Sequence, residues 1–299
     1  MSVQMTNQAS VTFESNRETA TVRSNLAAIE IRSVLTVRKR ALESAYRSNS
    51  ELTYVLSLFN NSASALTDLI VADDLGAYTI AGPVTVLPLS YIGSPLLYIN
   101  GLPTEQLTVQ ERESGVVFRI PRIPALGNAL LLFKARVNEF ALLSTGAALT
   151  NDAAVTAAEL TSPVYVSCTI PTDDFAEIRL AKQLLPDPAT EGEPVSMTFA
   201  VQNYGNLAAN NVRLTDRIWP ALFDLTVTVD GAVSTDFEQT NGVFVCPAAG
   251  SSAVFSVPPA VFSQNAATGA VRILPGMLVI TVSGKLPPDA ASQLSSQTP

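Results

Sequence analysis

The sequence has 299 residues, 47% of them hydrophobic and 15% charged, with a net charge of −8, two cysteines and no histidine. This length fits two domains with ample core, the apolar runs are too short to cross a membrane as helices, and the acidic balance argues against nucleic acid as a partner. Without histidine the usual general base and the commonest metal ligand are missing, so we expect no enzyme activity, no cofactor and no metal site.

The chain begins with a polar segment, residues 1–32, that has neither the charge nor the apolar stretch of a secretion signal. Residues 17–31 are the only weak helical candidate, and their alternation favours strand. We therefore predict an N-terminal β-hairpin. Its alternating apolar residues are Ala9, Val11, Phe13, Val22, Leu26, Ile29 and Ile31.

The rest of the chain consists of short alternating runs rich in Val, Thr, Ile and Leu, separated by Gly, Pro, Asn and Asp. The sequences N-G at 100–101 and D-G at 230–231 are typical of hairpin turns. Many strands at regular spacing predict an all-β fold of two tandem Ig-like β-sandwiches with the hairpin as an N-terminal arm. The clearest predicted strands are "LTYVLSLFN", "GVVFRI", "ALLLFKARV", "VSMTFAVQN", "NVRLTD", "DLTVTVDG", "AVRIL" and "MLVITVSG".

An internal repeat divides the chain. The segment at 35–60 parallels the segment at 178–203, and spacings of 21 and then 13 residues separate a lysine, an asparagine and an aspartate in both copies. The two sets are Lys39, Asn60, Asp73 and Lys182, Asn203, Asp216. We predict an arm at 1–32, a first sandwich at 33–171 and a second at 172–299.

These motifs resemble the bacterial surface repeat family DUF11, a relative of isopeptide-bonded pilin domains. The pattern is a lysine on the first strand, a strand that runs from a tyrosine to an asparagine, here "YVLSLFN", a V-x-D-x-L strand and a closing T-N-x-A-x-V-T strand, the last matched by Thr150–Thr156. In the second copy Phe199 is predicted to replace the tyrosine. The resemblance implies sandwich domains used in stalks, coats and fibres, with no defined catalytic activity.

The closing motif also occurs at residues 6–12, ahead of any domain that could own it. If Ile280 is equivalent to Phe133, the closing strand of the second domain is expected near 298, where the given sequence stops. We therefore expect the hairpin that contains Asn7 to complete the second domain of another chain, giving a head-to-tail homopolymer. The alternatives are an arm that packs on its own first domain and closure within one chain. The expected location is the outside of a bacterial cell or spore, with an anchor or tip protein as a further partner.

The resemblance also implies covalent chemistry. In isopeptide-forming relatives a buried first-strand lysine attacks an Asn or Asp side chain on the closing strand, helped by a protonated carboxyl group. The matching residues of the first domain are Lys39, Asn151 and Asp73, with Asp74 as an alternative to Asp73. The second domain offers Lys182 and Asp216, with Asn7 of a neighbouring chain. The alternative is that the lysines reach solvent and the asparagines bond turns.

Other interpretations remain open at this stage. Cys168 and Cys246 are either free buried thiols or a bridge between domains or subunits. A rival function is a surface adhesin or ligand-binding module, for which exposed loop aromatics would be needed. The candidates are Tyr91, Tyr98, Trp219 and Phe223. Acidic turns at 171–175 and 185–193 could hold calcium, although their spacing matches no defined loop.

Overall fold

The computed structural model describes residues 2–80 and 84–295, and its regular secondary structure is almost entirely β-strand. The strands up to the middle of the chain are β1 (Ser2–Asn7), β2 (Ser10–Ser15), β3 (Glu18–Arg23), β4 (Ala27–Arg32), β5 (Leu35–Ala41), β6 (Glu51–Asn60), β7 (Leu66–Asp73), β8 (Tyr78–Thr79), β9 (Thr85–Val86), β10 (Leu89–Tyr91), β11 (Leu96–Ile99), β12 (Leu102–Thr104), β13 (Thr108–Arg112), β14 (Gly115–Ile123), β15 (Asn128–Val137), β16 (Ala148–Thr156) and β17 (Val164–Pro171). The remaining elements are β18 (Ile178–Leu185), β19 (Pro194–Asn203), β20 (Ala209–Val212), β21 (Leu214–Arg217), β22 (Phe223–Val229), β23 (Ala232–Ser234), β24 (Glu238–Thr240), β25 (Val243–Cys246), β26 (Phe255–Val257), β27 (Val261–Gln264), β28 (Val271–Leu274), β29 (Gly276–Lys285) and α1 (Ala290–Ser295).

The chain divides into two compact units. The first contains residues up to Asn138 together with Leu149–Ile170, and the second contains Glu139–Ala148 and everything from Pro171 onward. The division at 170/171 lies one residue from the predicted domain boundary, but the loop Glu139–Ala148 belongs to the second unit. The predicted all-β class, with two tandem Ig-like sandwiches and an N-terminal hairpin arm, is confirmed.

The first unit has two main sheets around one core. One sheet has the order β12-β11-β15-β6-β5, with β10 also pairing β15, and the other has the order β13-β14-β7-β16-β17. Aromatic rings join the layers, since Phe133 of β15 lies 5.0 Å from Phe118 of β14 and stacks on Tyr54 of β6 at 5.4 Å. All three rings are fully buried.

The second unit has a five-stranded sheet of order β18-β19-β29-β22-β23 and a three-stranded sheet of order β21-β25-β24. Its core lies between Phe199, Ile280 and Val282 of the first sheet and residues such as Leu214 and Phe244 of the second. In the described residues the second sheet of this unit therefore has two strands fewer than its counterpart in the first unit.

The repeat is visible in identical contacts of two buried asparagines. Asn60 donates from Nδ2 to the carbonyl of Ser64, four residues on, at 2.8 Å, and Asn203 donates to the carbonyl of Leu207 at 2.7 Å. Each Oδ1 accepts from the backbone N–H two residues on. Both side chains fasten the turn after the second long strand of their unit.

The strand register corrects two predicted equivalences. Lys39 lies opposite Leu56, and Lys182 lies opposite Phe199, so Phe199 occupies the position of Leu56 and not that of the tyrosine. The ladders likewise make Val282, and not Ile280, the counterpart of Phe133. Positions near 298, where a closing strand was expected, lie outside the described residues.

The local predictions have mixed outcomes. The turns at 100–101 and 230–231 each join two paired strands with positive φ at both residues, as a type I′ hairpin requires, so those predictions are confirmed. Within residues 17–31, where strand was expected, β3 and β4 form, and residues 24–26 between them are not in a strand. The helix α1 was not predicted, because six residues are too few to display a helical period. In the described part of the chain no helix is long and apolar enough to cross a bilayer.

Candidate assembly site

The N-terminal arm is a long two-stranded hairpin. Strand β1 pairs with β4 from Ser2–Arg32 to Asn7–Ala27, and β2 pairs with β3, so that Val11 lies opposite Val22. Among the described residues these four strands pair only with one another. The tip turns through Asn16 and Arg17, both with positive φ.

One face of this hairpin is apolar and exposed. Alternation puts Met5 and Asn7 on one face of β1, and Val11 and Phe13 on one face of β2, whereas Thr12 on the other face of β2 bonds the hydroxyl of Thr21. The exposed fractions on the large apolar residues are Met5 55%, Val11 64%, Phe13 48%, Val22 59%, Leu26 61%, Ile29 63% and Ile31 51%. A hairpin with such a face gains little stability alone, and a contiguous apolar patch of this kind marks an interaction surface.

In the first unit the predicted lysine and aspartate meet inside the sandwich. Lys39 Nζ lies 2.7 Å from Asp73 Oδ2, and both side chains are completely buried. Asn151 of β16 is fully buried beside them, and its Oδ1 accepts from the N–H of Gly76 at 3.2 Å. Asp74 instead accepts from the N–H groups of Gly76 and Asp152, so it holds a turn and is not the partner of the lysine.

The electrostatics of this cluster favour neutral groups. Burial lowers the pKa of Lys39 despite the neighbouring Asp73, and burial raises the pKa of Asp73 despite the neighbouring lysine. The close Lys39–Asp73 contact is not aligned as a hydrogen bond, and Asn151 Nδ2 and the Tyr54 hydroxyl are also buried without an aligned partner. Two buried polar atoms without an aligned partner, beside a buried ion pair, are costly and call for a chemical explanation.

Two strands of the first unit cover this cluster. Strand β16 pairs with β7, with Ala153 opposite Asp73 and Val155 opposite Val71. The inward residues of β16 are all buried, namely Leu149, Asn151, Ala153 and Val155. Strand β17 lies beyond β16 and buries Ile170.

The second unit contains the same ion pair without that cover. Lys182 Nζ lies 2.6 Å from Asp216 Oδ2, but the two side chains are 41% and 20% exposed. Strand β21, which carries Asp216, is the outermost strand of its sheet in the described residues. Every residue of the adjacent edge strand β18 is exposed, including Leu180, whereas β5 of the first unit buries Leu35 and Lys39.

An aromatic ring accompanies each lysine. Lys39 Nζ lies 5.2 Å from the centre of the Tyr54 ring, and Lys182 Nζ lies 5.2 Å from the centre of the Phe199 ring. Phe199 therefore does not occupy the strand position of the tyrosine, as was predicted. Its ring nevertheless contacts the lysine of its unit, as the tyrosine ring does in the first unit.

The other predicted sites are placed as follows. Both cysteines are free; Cys246 is buried, and burial raises the pKa of its thiol to about 11, while Cys168 is half-buried. Tyr91 packs against Phe118 in the core of the first unit. Trp219 and Phe223 are 41% and 42% exposed. Within the residues that the structure describes, no three acidic or cysteine side chains come together as a metal site would need.

Comparison with known proteins adds only distant similarities. No protein-family model and no curated protein sequence matches the chain, so membership of the DUF11 family stays a prediction. A variant of BcpA, the major pilin subunit of Bacillus cereus, is similar at 12% identity and a TM-score of 0.37, over 91% of this chain and 73% of that one. The pilus backbone protein RrgB of Streptococcus pneumoniae is similar at 9% identity and a TM-score of 0.35, over 81% and 55%. A family 123 glycoside hydrolase from Clostridium perfringens is similar at 9% identity and a TM-score of 0.30, over 48% and 28%. Similarities this weak carry no functional conclusion.

Proposed function

We propose that this protein is a structural subunit that polymerises head to tail, with the N-terminal hairpin of one copy completing the second unit of the next. One observation carries the proposal: the chain exposes an apolar hairpin with the closing-strand motif, and it also exposes the Lys182–Asp216 pair that such a motif covers in the first unit. Each exposed surface matches a buried one already present in the molecule.

The first unit supplies the register. There β16 lies antiparallel to β7 with Ala153 opposite Asp73. Moved to the equivalent residues, Ala9 of one copy lies opposite Asp216 of the next, Ser10 opposite Thr215, and Val11 opposite Leu214. Val11 and Ala9 then face the core, and Asn7 comes to the Lys182–Asp216 pair.

The energetics favour such docking. A hairpin that covers roughly 800–1,000 Å² of apolar surface contributes about 20 kcal/mol before the cost of ordering, which is an upper bound. Association and the ordering of a hairpin that is only marginally stable alone reduce this figure substantially. Backbone pairing along β21 also removes an open sheet edge.

The connectivity suits an open polymer. Residues 33–34 alone separate the hairpin from β5, and residues 172–177 separate β17 from β18. A junction between subunits therefore repeats the order of elements found between the two units of one chain. Because donor and acceptor surfaces differ, the contact is heterologous and extends into an open polymer wherever the rotation between subunits does not close a ring.

We also propose an isopeptide bond in the first unit. Lys39 Nζ attacks the side-chain carbonyl carbon of Asn151, a C–N bond forms, and ammonia leaves; Asp73, whose pKa is raised by burial, passes the protons. The bond would remove the buried ion pair and the unpaired amide nitrogen. In an assembled filament Lys182 and Asp216 of one copy would form the same group with Asn7 of the copy that donates its hairpin, giving a covalent fibre. By the motif resemblance we place this fibre outside a bacterial cell or spore, with an anchor or tip protein.

Negative-stain microscopy of the full chain and of a chain without residues 1–32 tests assembly. We expect filaments from the first and single particles from the second, and single particles from both would refute the proposal. Intact mass tests the bond separately, since each isopeptide lowers the mass by about 17 Da. An unshifted mass would refute the crosslink and leave the polymer untouched.

A further inference from the structure

An apolar groove lies at one end of the open edge in the second unit. Its volume is about 380 Å³, and it continues past the end of β21 along the segment that follows Arg217. The side chains that matter here are Met197, Ile218, Trp219, Leu222 and Leu294. The groove is therefore continuous with the edge on which the hairpin is proposed to dock.

At the equivalent place in the first unit a side chain of β16 fills the space. Gly76, three residues after Asp73, has φ +75°, and a Cβ built there would lie 3.2 Å from Cδ2 of Leu149. Leu149 is 4% exposed and occupies that space. In the second unit the residue three after Asp216 is Trp219, whose ring forms one wall of the groove.

Helix α1 forms another wall. It is held by Ala290, which is 4% exposed, and by the N–H of Ala291, which donates to Oε1 of Glu191 at 2.7 Å. Leu294 nevertheless lines the groove while remaining 50% exposed. A leucine that stays half exposed on a fixed helix, beside an apolar groove, indicates that a further apolar group binds in the groove.

We propose that the occupant is the side chain of Met5 from a second copy of this chain; this inference rests on the proposed function. Met5 has the place in β1 that Leu149 has in β16, two residues before the motif asparagine. From Ala9 opposite Asp216, the antiparallel strand runs along Ile218 toward Leu222, which brings Met5 beside Trp219 and Leu294. A flexible thioether fills an irregular groove of this kind better than a branched side chain.

A double-mutant cycle between Met5 and Leu294 tests the contact. All variants carry Asn7→Ala, so that affinity and not a covalent bond is measured, and sedimentation velocity gives the concentration at which half the subunits are assembled. Met5→Ala should raise that concentration about 50-fold, because three heavy atoms lose an apolar environment, and Leu294→Ala about 10-fold. The double variant should fall short of the product of the two effects by about fivefold or more. Gln4→Ala, on the opposite face of β1, should change nothing.

The outcomes separate this inference from the filament itself. Suppose that the parent with Asn7→Ala assembles. If the effects of the two substitutions then multiply without coupling, or if Met5→Ala has no effect, Met5 does not bind in the groove, although the proposed filament is still supported. If neither that parent nor the full natural chain assembles, the proposed function fails and this inference with it. Unchanged thermal unfolding of the Leu294→Ala monomer is required, and its exposure makes that the expected result.

Discussion

Replacement of Val11 by alanine should weaken subunit association without weakening the subunit. Val11 is 64% exposed in the free hairpin, whereas its counterpart Val155 is 0% exposed under the same type of strand pairing. The change therefore removes two carbon atoms that are solvated in the monomer and buried in the polymer. At about 0.8 kcal/mol for each, the loss is about 1.6 kcal/mol, and more if the gap does not close.

That loss corresponds to about a 15-fold higher concentration for half-assembly. Sedimentation velocity over a dilution series measures it, and thermal unfolding of the dilute monomer should be unchanged. Thr12→Ala is the matched control, since Thr12 is the next residue on the opposite face and only its bond to Thr21 is lost. Equal effects of the two variants, or a monomer destabilised by Val11→Ala, would refute the reasoning.

The remaining predictions concern the buried polar residues. Lys39→Met leaves Asp73 buried without a cation. Burial holds the folded-state pKa of Asp73 above its unfolded value. The stability of the variant should therefore be greatest below the unfolded pKa, about 4, and should fall as pH rises through the folded pKa. Thermal unfolding of Lys39→Met at pH 4 and pH 7 checks this, and a flat profile would contradict it, whereas Lys39→Met with Asp73→Asn should be flat. Asn203→Ala removes bonds to Leu207 and Pro258 and should cost the second unit about 3 kcal/mol in denaturant unfolding; a loss below about 1 kcal/mol would contradict its role. Asn151→Ala should restore the full chain mass if the first unit is crosslinked, and a mass already unshifted in the parent would end that idea.

The sequence repeat was sufficient to identify equivalent lysine, asparagine and aspartate positions in the two copies, and the family resemblance implied that the lysine and the aspartate meet. The lysine, the asparagine and the aspartate take equivalent places in both units because the segments that join them, along β5–β6 and β18–β19 and on to the next strand, have equal lengths of 21 and 13 residues. The alternation of polar and apolar residues predicted that Val11 and Ile29 lie on an apolar face. The same alternation, followed to two residues before Asn7, would also have identified Met5.

Features that depend on contacts between residues distant in the sequence could not be predicted from the sequence. The equivalence of Phe199 with the tyrosine failed because register is set by hydrogen bonds to the neighbouring strand, and the distance from ring to asparagine differs between the copies. The groove beside Trp219 depends on where α1 packs, which no local pattern encodes.

Disulfide trapping in the proposed register tests the central claim most directly. Ser10 and Thr215 are both exposed and should lie directly opposite in the assembled strands, with Cβ atoms about 5 Å apart, close enough for a bridge after a small shift. In a chain with Cys168→Ser, the pair Ser10→Cys and Thr215→Cys should give, on mild oxidation, a ladder of dimers, trimers and longer species without reductant. Thr6→Cys with Thr215→Cys places the thiols four residues, about 13 Å, out of register and should give none. Bridges confined to single chains, or equal ladders from both pairs, would contradict strand donation between subunits.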